Sequence, residues 1–570
     1  MSKEVVCEMR DHSLETGPIV TFHRLHYCVQ DSRFCRKRGP EKSILKDVSG
    51  IMRPGMNAIM GATGSDKTSL LDVIAGRKDP RGLKEGQVLV DGRVVTSELR
   101  LSSAYVVQDD ILMGTLSVRE NLLFSANLRL DPSEHTRKDK ETGSVQSSYA
   151  ACPEGRGNGV VSGWSSSPLP SLLFLDEPTT GLDSNTANCI ISLLHKLSRR
   201  GKTVIFSIHQ PRYSIFRQFD HLTLMHKGEM VYVGAASQAM DYFTNLGFTI
   251  EAFNNPADFF MDITNGETKS ALAPFNTENG HTFLAQTYRQ SLQGRAVLEE
   301  LDRSDQNLPL GGKSPDKSVG YATSFLYQMK VVCKRTVLNL LRNPQTSYAQ
   351  LALNIFFAVL VGLIYFQMPM TLPEAIQNRS GAFFFLIINM VFGNLSAVEL
   401  FINERVIFIH ENSSGYYRTS VYFLSKIFAD LLPNRIIPIV VFSAIAYYMM
   451  GLKPDFAAFV CFALNMCLVS LAGVGLAFLV SASVSTFAMA NIMIALPFVF
   501  MMVFGGFLVN LNSMLSWLSW LKWLSIFSYG LNDLDYSAWG YWQNEVALMG
   551  IMLVCMFFAY IQLRRINRWK

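Results

Sequence analysis

A glycine-rich segment at residues 61–68 has the composition of a loop that binds phosphate. It contains Gly-Ala-Thr-Gly-Ser-Asp-Lys-Thr and nearly matches the pattern G-x-x-x-x-G-K-[ST]. In that pattern backbone N–H groups and a helix N-terminus surround the phosphates, the lysine reaches the terminal phosphates, and the hydroxyl binds Mg²⁺. We expect the nucleotide contacts to come from Gly61, Gly64, Ser65, Asp66, Lys67, Thr68 and Ser69.

Asp66 occupies the position at which this pattern has its second glycine. Glycine there allows the backbone to approach a phosphate closely. A carboxylate adds a like charge, and at ~4 Å with an effective dielectric of ~20 one such pair costs on the order of 4 kcal/mol before screening. We therefore expect Asp66 to weaken nucleotide binding.

A second segment, residues 172–178, joins an apolar run to two acidic residues as Leu-Leu-Phe-Leu-Asp-Glu-Pro. An apolar strand of this kind delivers both carboxylates to the edge of a sheet. We expect Asp176 to hold Mg²⁺ through water and Glu177 to polarise the water that attacks the terminal phosphate. Two polar segments follow, Thr-Thr-Gly-Leu-Asp-Ser at 179–184 and Ser-Ile-His-Gln-Pro at 207–211.

The elements that must position these motifs alternate between strands and helices. Short apolar runs separated by turns fill residues 16–110, and a helical pattern covers 116–129. Residues 131–171 are rich in Ser, Gly, Pro and Lys, and we expect a disordered loop there before strand and helix patterns return. The alternation predicts an α/β fold with a mostly parallel sheet.

Charge is divided unevenly along the 570 residues. Only 11 of the 51 Lys and Arg residues, and 9 of the 46 Asp and Glu residues, lie in 345–570. A segment so poor in charge is typical of a membrane domain that contacts the lipid bilayer. The net charge of +5 is small for this length and gives no argument for a nucleic-acid partner.

Six apolar segments in the charge-poor half are each close to the ~20 residues needed to cross a bilayer. We predict membrane spans at 349–366, 382–402, 426–450, 456–480, 485–508 and 544–563. An amphipathic, basic helix is predicted before them at 323–343, and such a helix can lie at a membrane surface. Basic residues at the C-terminus indicate a cytosolic tail, and six spans then place both termini on the same side.

Four strings of residues carry a resemblance to a known family: LLFLDEPTTGLDS, FSIHQPRYSIF, NNPADFF and HENSSGYYRTS. Over nearly its whole length the chain resembles the ATP-binding cassette transporters, and within them the subfamily G half-transporters. The resemblance implies an α/β nucleotide-binding domain of the ABC-type P-loop fold, followed by an all-α transmembrane domain with six helices. The implied boundaries are 1–263 for the nucleotide-binding domain, 264–322 for a linker, 323–343 for an amphipathic connecting helix and 344–570 for the transmembrane domain.

The resemblance also implies ATP and Mg²⁺ as cofactors and assigns roles to single residues. Seven positions match family residues of the nucleotide site: Lys67, Thr68, Gln108, Asp176, Glu177, Asp183 and His209. By this match Thr68, Gln108 and Asp176 are the Mg²⁺ ligands. Glu177 is the catalytic base, and His209 is the histidine beside the γ-phosphate.

The family's signature sequence, VSGGE, is incomplete in this chain. Only Val-Ser-Gly remains at 161–163, Trp164 follows, and two prolines close behind would prevent a helix. In the family this segment binds the γ-phosphate of the nucleotide that the opposite subunit holds. We therefore expect each composite site of a homodimer to have two defects, namely Asp66 and the lost signature. An error in the transcript or gene model over 131–171 is the alternative explanation.

Six positions match the family's central substrate cavity and the plug above it: Asn389, Phe392, Val499, Met502, Phe507 and Leu508. In the family an aromatic ring and an amide hold flat, apolar substrates there. Phe507 departs from the family, which has leucine at this position.

Three functional hypotheses follow. The first is a half-transporter that exports amphipathic small molecules or lipids, as a homodimer or with another subfamily G half-transporter, with its own ATPase activity weak or absent. The second is a non-catalytic subunit that dimerises with an intact half-transporter and modulates it. The third is a paralogue that has lost its activity. We expect a multi-pass protein of the plasma membrane, with the nucleotide-binding domain and both termini in the cytosol.

Overall fold

The computed structural model describes residues 17–30, 41–95, 99, 103–108, 111–129, 171–250, 254–266, 280–306, 321–368, 374–484, 486–509, 516–532 and 538–566. The incomplete signature at 161–163, and the rest of the predicted loop up to residue 170, lie outside the described residues. In the described part, an α/β domain is followed by a helical domain.

Six strands form the central sheet of the first domain, in the order β10-β9-β3-β8-β7-β6. They are β3 (Gly55–Gly61), β6 (Ser103–Val106), β7 (Leu172–Leu175), β8 (Thr203–Ser207), β9 (His221–His226) and β10 (Glu229–Ala235). All neighbouring pairs are parallel except β9 with β10. The central strands are buried along their whole length, as apolar strands covered on both faces must be. The predicted α/β fold is confirmed.

A second sheet packs against the same core. Its strands β1 (Val20–Gln30), β2 (Glu41–Met52), β4 (Leu83–Val90) and β5 (Arg93–Val94) are antiparallel, in the order β2-β1-β4-β5. Phe22 of β1 and Leu45 of β2 are fully buried in the apolar cluster that also contains the central strands. The two sheets therefore share one hydrophobic core.

The helices of the first domain are α1 (Lys67–Ile74), α2 (Val118–Arg129), α3 (Ser184–Ser198), α4 (Tyr213–Phe216), α5 (Ala239–Asn245), α6 (Pro256–Asn265), α7 (Gly280–Gln290) and α8 (Leu292–Gln306). Helices α7 and α8 fall within the predicted linker, whose polar composition gave no sign of them. Tyr288 donates a hydrogen bond to the carbonyl of Val233 at 3.0 Å, and Arg53 pairs with Glu300 at 2.7 Å. These contacts attach the two helices to the first domain.

The second domain contains α9 (Phe325–Arg342), α10 (Pro344–Ile364), α11 (Glu374–Phe392), α12 (Ala397–Ser413), α13 (Thr419–Lys426), α14 (Leu432–Met449), α15 (Phe456–Ser483), α16 (Phe487–Val503), α17 (Ile526–Asn532) and α18 (Ala538–Arg565). Within the described residues, four helical segments are long and apolar enough to cross a membrane: Ser347–Ile364, Thr419–Met449, Phe456–Ser483 and Trp539–Arg565. Helix α16 is a shorter apolar helix.

Two predicted spans have irregular backbone in the structure. The segment predicted at 382–402 covers the end of α11, a 3₁₀ turn at Gly393–Ser396 and the start of α12. The segment predicted at 426–450 begins in a π-helical turn, Ile427–Leu431, which joins α13 to α14. Such turns leave backbone groups that must be satisfied by neighbouring protein, and both lie against the largely buried helix α15 or the helices beside it.

Candidate nucleotide site and membrane domain

The candidate nucleotide site lies at the carboxyl ends of four neighbouring strands. The glycine-rich loop follows β3, Gln108 follows β6, Asp176 and Glu177 follow β7, and His209 follows β8. Because parallel strands end at the same edge of a sheet, four segments that are distant in sequence meet there. This edge is the usual place for a ligand in such a fold.

The loop after β3 has the tight geometry that phosphate binding needs. A Cβ atom at Gly61 would come within 2.4 Å of the Met225 carbonyl oxygen, so only glycine fits. Asp66 has φ 65° and ψ 30°, a left-handed conformation, immediately before α1. The aspartate thus adopts a backbone conformation that glycine adopts freely, and Asp is among the few side chains that tolerate it.

Three lysines outside the loop offset part of the charge of Asp66. Burial raises the pKa of the Asp66 carboxyl, while Lys42, Lys46 and Lys78 lower it. Burial lowers the pKa of Lys67, which Glu177 and Asp176 offset in part. The sequence-based cost of ~4 kcal/mol for Asp66 took no account of these three lysines, and with them the cost to a bound phosphate is smaller.

Lys67 is folded back onto its own loop. Its ammonium donates hydrogen bonds to the carbonyls of Gly61 at 2.8 Å and Ala62 at 3.1 Å. Nearby, the Ser65 hydroxyl is buried and has no hydrogen-bond partner among the described residues, although its backbone N–H donates to the carbonyl of Ala62. A cation and an unsatisfied hydroxyl in one loop are groups that a phosphate could satisfy.

The residues expected to hold Mg²⁺ are close to one another. Thr68 Oγ1 donates to Asp176 Oδ1 at 3.0 Å, and Ser207 Oγ donates to the same oxygen at 2.6 Å. Burial raises the pKa of Asp176, and both hydrogen bonds lower it. Gln108 Nε2 donates to Glu177 Oε2 at 3.0 Å, which brings the third expected ligand to the same edge. Hydroxyl, carboxylate and amide oxygens are the ligands that Mg²⁺ prefers, so this donor set fits the ion.

Besides Gln108, two further residues hold Glu177 in place. It has φ 45°, and its backbone N–H donates to Ser207 Oγ at 2.8 Å. Thr180 Oγ1 donates to Glu177 Oε2 at 3.0 Å. His209 Nε2 lies 3.0 Å from Thr63 Oγ1, so the residue after β8 contacts the glycine-rich loop. The expected base and the expected γ-phosphate histidine therefore flank the loop.

Asp183 has a different local role in the structure. It is exposed, and its carboxylate accepts hydrogen bonds from the backbone N–H groups of Asn185 and Thr186 at the start of α3. These bonds lower the pKa of Asp183. Sequence reasoning missed three side chains that hold the site, Thr63, Thr180 and Ser207, although each lies inside a motif that it had singled out.

Aromatic contacts bring α11 next to α16 in the membrane domain. The Phe392 ring lies 5.8 Å from that of Phe498, and the Phe384 ring stacks on that of Phe507 at 4.4 Å. Val499, Phe507 and Leu508 are each about half exposed, while Met502 is partly buried against the core. Phe392 therefore packs against α16, and Phe507, which follows α16, packs against α11.

Asn389 lines a polar cavity inside the protomer. The cavity is lined by four helices, α10, α11, α14 and α15, and by the turn after α11, through Gln350, Asn354, Asn389, Met390, Gly393, Asn394, Asn434, Arg435, Pro438, Ile439 and Ser470. Arg435 donates to the Gly393 carbonyl at 3.3 Å, and Asn394 bonds Ser470. A polar cavity at membrane depth is unusual, because buried polar groups there need partners.

The arginines of α9 hold this helix within the membrane domain and against the first domain. Within the membrane domain, Arg335 makes a bidentate ion pair with Glu411, which also accepts a hydrogen bond from Tyr417 at 2.6 Å, and its guanidinium lies over the Phe124 ring of the first domain. Arg342 makes a bidentate ion pair with Glu120. Arg77, just after α1, donates to Ser414 Oγ at 2.6 Å, so the helix that carries Lys67 and Thr68 ends at the membrane domain.

A chain of hydrogen bonds continues from the first domain to the polar cavity, through Thr115, Asn339, Glu404, Lys426, Asp430 and Asn434. Thr115 donates to Asn339 at 2.6 Å, and Asn339 donates to Glu404 at 3.2 Å. Lys426 donates to Glu404 at 2.9 Å and to Asp430, in the π-helical turn, at 2.7 Å. The path begins seven residues after Gln108.

Comparisons with known proteins agree with this arrangement. The ABC transporter family matches residues 45–180, and the ABC-2 type transporter family matches 327–538, with a further ABC-2 type match at 209–282. The rat protein named "Broad substrate specificity ATP-binding cassette transporter ABCG2" is 39% identical over 98% of this chain and 96% of its own length. This chain belongs to the subfamily G ATP-binding cassette transporters.

Two further subfamily relatives differ in how much of their length is covered. Mouse "ATP-binding cassette sub-family G member 3" is 32% identical, over 97% of this chain and 95% of its own length. "Protein white" of Drosophila melanogaster is 33% identical, over 89% of this chain and 76% of its own length. The chain is thus an integral membrane half-transporter, with an ATP-binding cassette domain before its transmembrane helices.

Proposed function

We propose that this half-transporter exports amphipathic small molecules or lipids as a dimer, and that its own ATP hydrolysis is impaired. The observation that carries the proposal is Asp66 in the left-handed position before α1, within a site whose other groups contact one another. A relative named for broad substrate specificity supports the export of varied substrates.

The residues of the site have distinct roles in this proposal. Lys67 would exchange the carbonyls of Gly61 and Ala62 for the terminal phosphates. Thr68 and Asp176, already in contact, would hold Mg²⁺ with Gln108. The bound ion would offset the negative charge that develops on the transferred phosphate.

Glu177 and His209 would act on the γ-phosphate side of the site. Glu177 would polarise the attacking water, and for this its carboxylate must exchange the hydrogen bonds from Gln108 and Thr180 for the water. His209 would contact the γ-phosphate from the Thr63 side of the loop. Both residues would act by positioning groups and by electrostatic stabilisation, which are the main ways in which proteins catalyse phosphoryl transfer.

Two features would slow this reaction in a homodimer. Asp66 brings a negative charge to the phosphate loop, and the lysines around it offset only part of that charge. The signature that should complete the opposite site is reduced to Val-Ser-Gly at 161–163. Each composite site would then combine a weakened phosphate loop from one subunit with an incomplete signature from the other.

The transport surface in this proposal is formed by α11, α16 and the residues that follow α16. Phe392, Val499 and Phe507 would contact flat, apolar groups, and Asn389 would supply a hydrogen bond. We propose the plasma membrane as its location, with the cassette domain and both termini in the cytosol.

A second candidate function is that of a non-catalytic subunit which dimerises with an intact half-transporter and modulates it. The contacts between cassette and membrane domains favour it, because the ion pair Arg342–Glu120 and the contact of Arg335 with the Phe124 ring do not depend on nucleotide. Such a chain could fold and pair without hydrolysing ATP.

Efflux measurements separate the two functions. The chain is expressed alone, with Glu177→Gln as the inactive control, and together with an intact subfamily G half-transporter at increasing ratios. Export by the paired chains that exceeds export by pairs in which this chain carries Glu177→Gln supports the first function, while the chain alone should export no more than its Glu177→Gln control. A dose-dependent loss of the relative's efflux, with the two chains co-purifying, supports the second. Neither export nor co-purification would refute both.

A further inference from the structure

The four basic residues of helix α9 lie on two different sides of the helix. Arg335 is buried in its ion pair with Glu411, and Arg342 pairs with Glu120. Lys330 and Lys334 are exposed, and neither has an ion pair or hydrogen bond among the residues that the structure describes. Arg342 therefore joins α9 to the first domain and Arg335 anchors it in the membrane domain, while the two lysines remain available to an outside partner.

The lysines belong to a stripe along one face of α9, which we name the lysine stripe: Leu326, Lys330, Lys334, Val337 and Leu341. Their spacing of four, four, three and four residues places them on one side of a helix. All five are exposed, and Leu326 and Leu341 are 78% and 68% exposed. No Asp or Glu occurs anywhere in 325–342. The stripe thus combines apolar side chains with two positive charges and no negative charge.

Buried contacts on the opposite face of α9 hold the helix so that the lysine stripe faces outward. Val332 and Gln328 are fully buried, and the Arg335 guanidinium lies 3.9 Å from the centre of the Phe124 ring. Gln328 also accepts a hydrogen bond from the backbone N–H of Arg418 at 3.3 Å. Contacts to both domains therefore prevent α9 from turning its stripe inward.

The end of α9 lies next to the first segment that is long and apolar enough to cross a membrane. The helix ends at Arg342, the following helix begins at Pro344, and its membrane-crossing segment begins at Ser347. The C-terminal part of the lysine stripe is therefore within two helical turns of the first span. A helix in this position meets the boundary between headgroups and acyl chains.

We propose that the lysine stripe binds the phosphate-bearing headgroups of anionic phospholipids in the adjoining leaflet. The leucines and the valine would enter the acyl boundary. The aliphatic stems of Lys330 and Lys334 would lie along it, and their ammonium groups would reach the phosphates. Anionic rather than zwitterionic lipid is favoured because the stripe has two cations and no compensating acid. The inference does not depend on ATP hydrolysis or transport.

Lipid quenching at Cys333, which is partly exposed on α9, tests the proposal. A full-length variant in which the other eight cysteines are replaced by serine is labelled at Cys333 with bimane and reconstituted in phosphatidylcholine vesicles. Either spin-labelled phosphatidylserine or spin-labelled phosphatidylcholine is added as quencher. One lysine near an anionic surface is worth ~1 kcal/mol, which corresponds to a ~5-fold local enrichment. We expect phosphatidylserine to quench several-fold more strongly.

The matched variants are Lys330→Gln with Lys334→Gln, and as control Lys196→Gln with Lys227→Gln, two exposed lysines of the cassette domain. The first pair should reduce the quenching ratio of the two lipids to about one, and the control pair should leave it unchanged. Equal quenching by both lipids in the unsubstituted chain, or a preference that survives loss of both lysines, overturns the proposal. It is also overturned if neither lipid quenches and the stripe cross-links to a second copy of the chain.

Discussion

Replacing Asp66 with glycine should tighten ATP binding. The backbone at this position already has φ 65° and ψ 30°, so glycine can take the same conformation without strain. The change removes one negative charge from the phosphate loop and leaves the other groups of the site unaltered. Asp66→Asn is the matched control, because it removes the charge but retains nearly the same shape and the same backbone demand.

The magnitude follows from charge and screening. At a separation of ~8 Å and an effective dielectric of ~40, one pair of like charges costs ~1 kcal/mol, and two phosphate groups double this to ~2 kcal/mol. Lys42, Lys46 and Lys78 surround Asp66 and offset part of that repulsion. We therefore expect Asp66→Gly and Asp66→Asn each to tighten binding by roughly tenfold, or ~1.4 kcal/mol.

The assay is equilibrium binding of a fluorescent ATP analogue to the purified full-length chain, with and without Mg²⁺, at two ionic strengths. The gain should shrink at high salt, because the repulsion involves a partly exposed carboxylate. Unchanged affinity in both variants would refute the electrostatic argument. A gain in Asp66→Gly alone would show that backbone conformation, and not charge, limits binding.

Three further outcomes are expected. Contacts between the domains should loosen as the pH falls from 6.5 towards 4. Burial, with two nearby arginines, lowers the pKa of His410 to about 4, so up to ~3 kcal/mol of stability is lost over that range. Limited proteolysis should detect this loss, and His410→Gln should make the pH profile flat. Glu411→Gln should destabilise the chain by ~3 kcal/mol in thermal unfolding, since it leaves Arg335 buried without its countercharge, and a change near zero would contradict this. Thr68→Ala should weaken ATP binding about tenfold with Mg²⁺ present and little without it, because the hydroxyl is expected to act through the ion held with Asp176; an equal loss in both conditions would oppose that role.

The elements of the nucleotide site could be predicted from sequence because each motif is local. The apolar run of β7 ends at Asp176, and the glycine-rich loop ends at α1. The general rule that parallel strands end at one edge then brings these motifs together. What could not be predicted were the lysines around Asp66, since Lys42 and Lys46 reach it from a strand of the other sheet.

The membrane domain was predicted less completely. Hydropathy marks apolar segments, but it does not show where backbone irregularity divides them, as at Gly393–Ser396 and Ile427–Leu431. The hydrogen-bonded path from Thr115 to Asp430 joins residues more than 300 positions apart, so no local pattern indicates it. Polar residues such as Lys426 within a predicted span were signs that a buried network existed, but they did not identify its members.

The central proposal is that the chain assembles a nucleotide site which does not turn over in a homodimer. The most direct test is the Mg²⁺-dependent, vanadate-sensitive ATPase rate of the purified chain, with Glu177→Gln as the background. The proposal predicts that the two rates are equal, even though ATP binds and Asp66→Gly binds it more tightly. A vanadate-sensitive rate in the unsubstituted chain, clearly above that of Glu177→Gln, would contradict it.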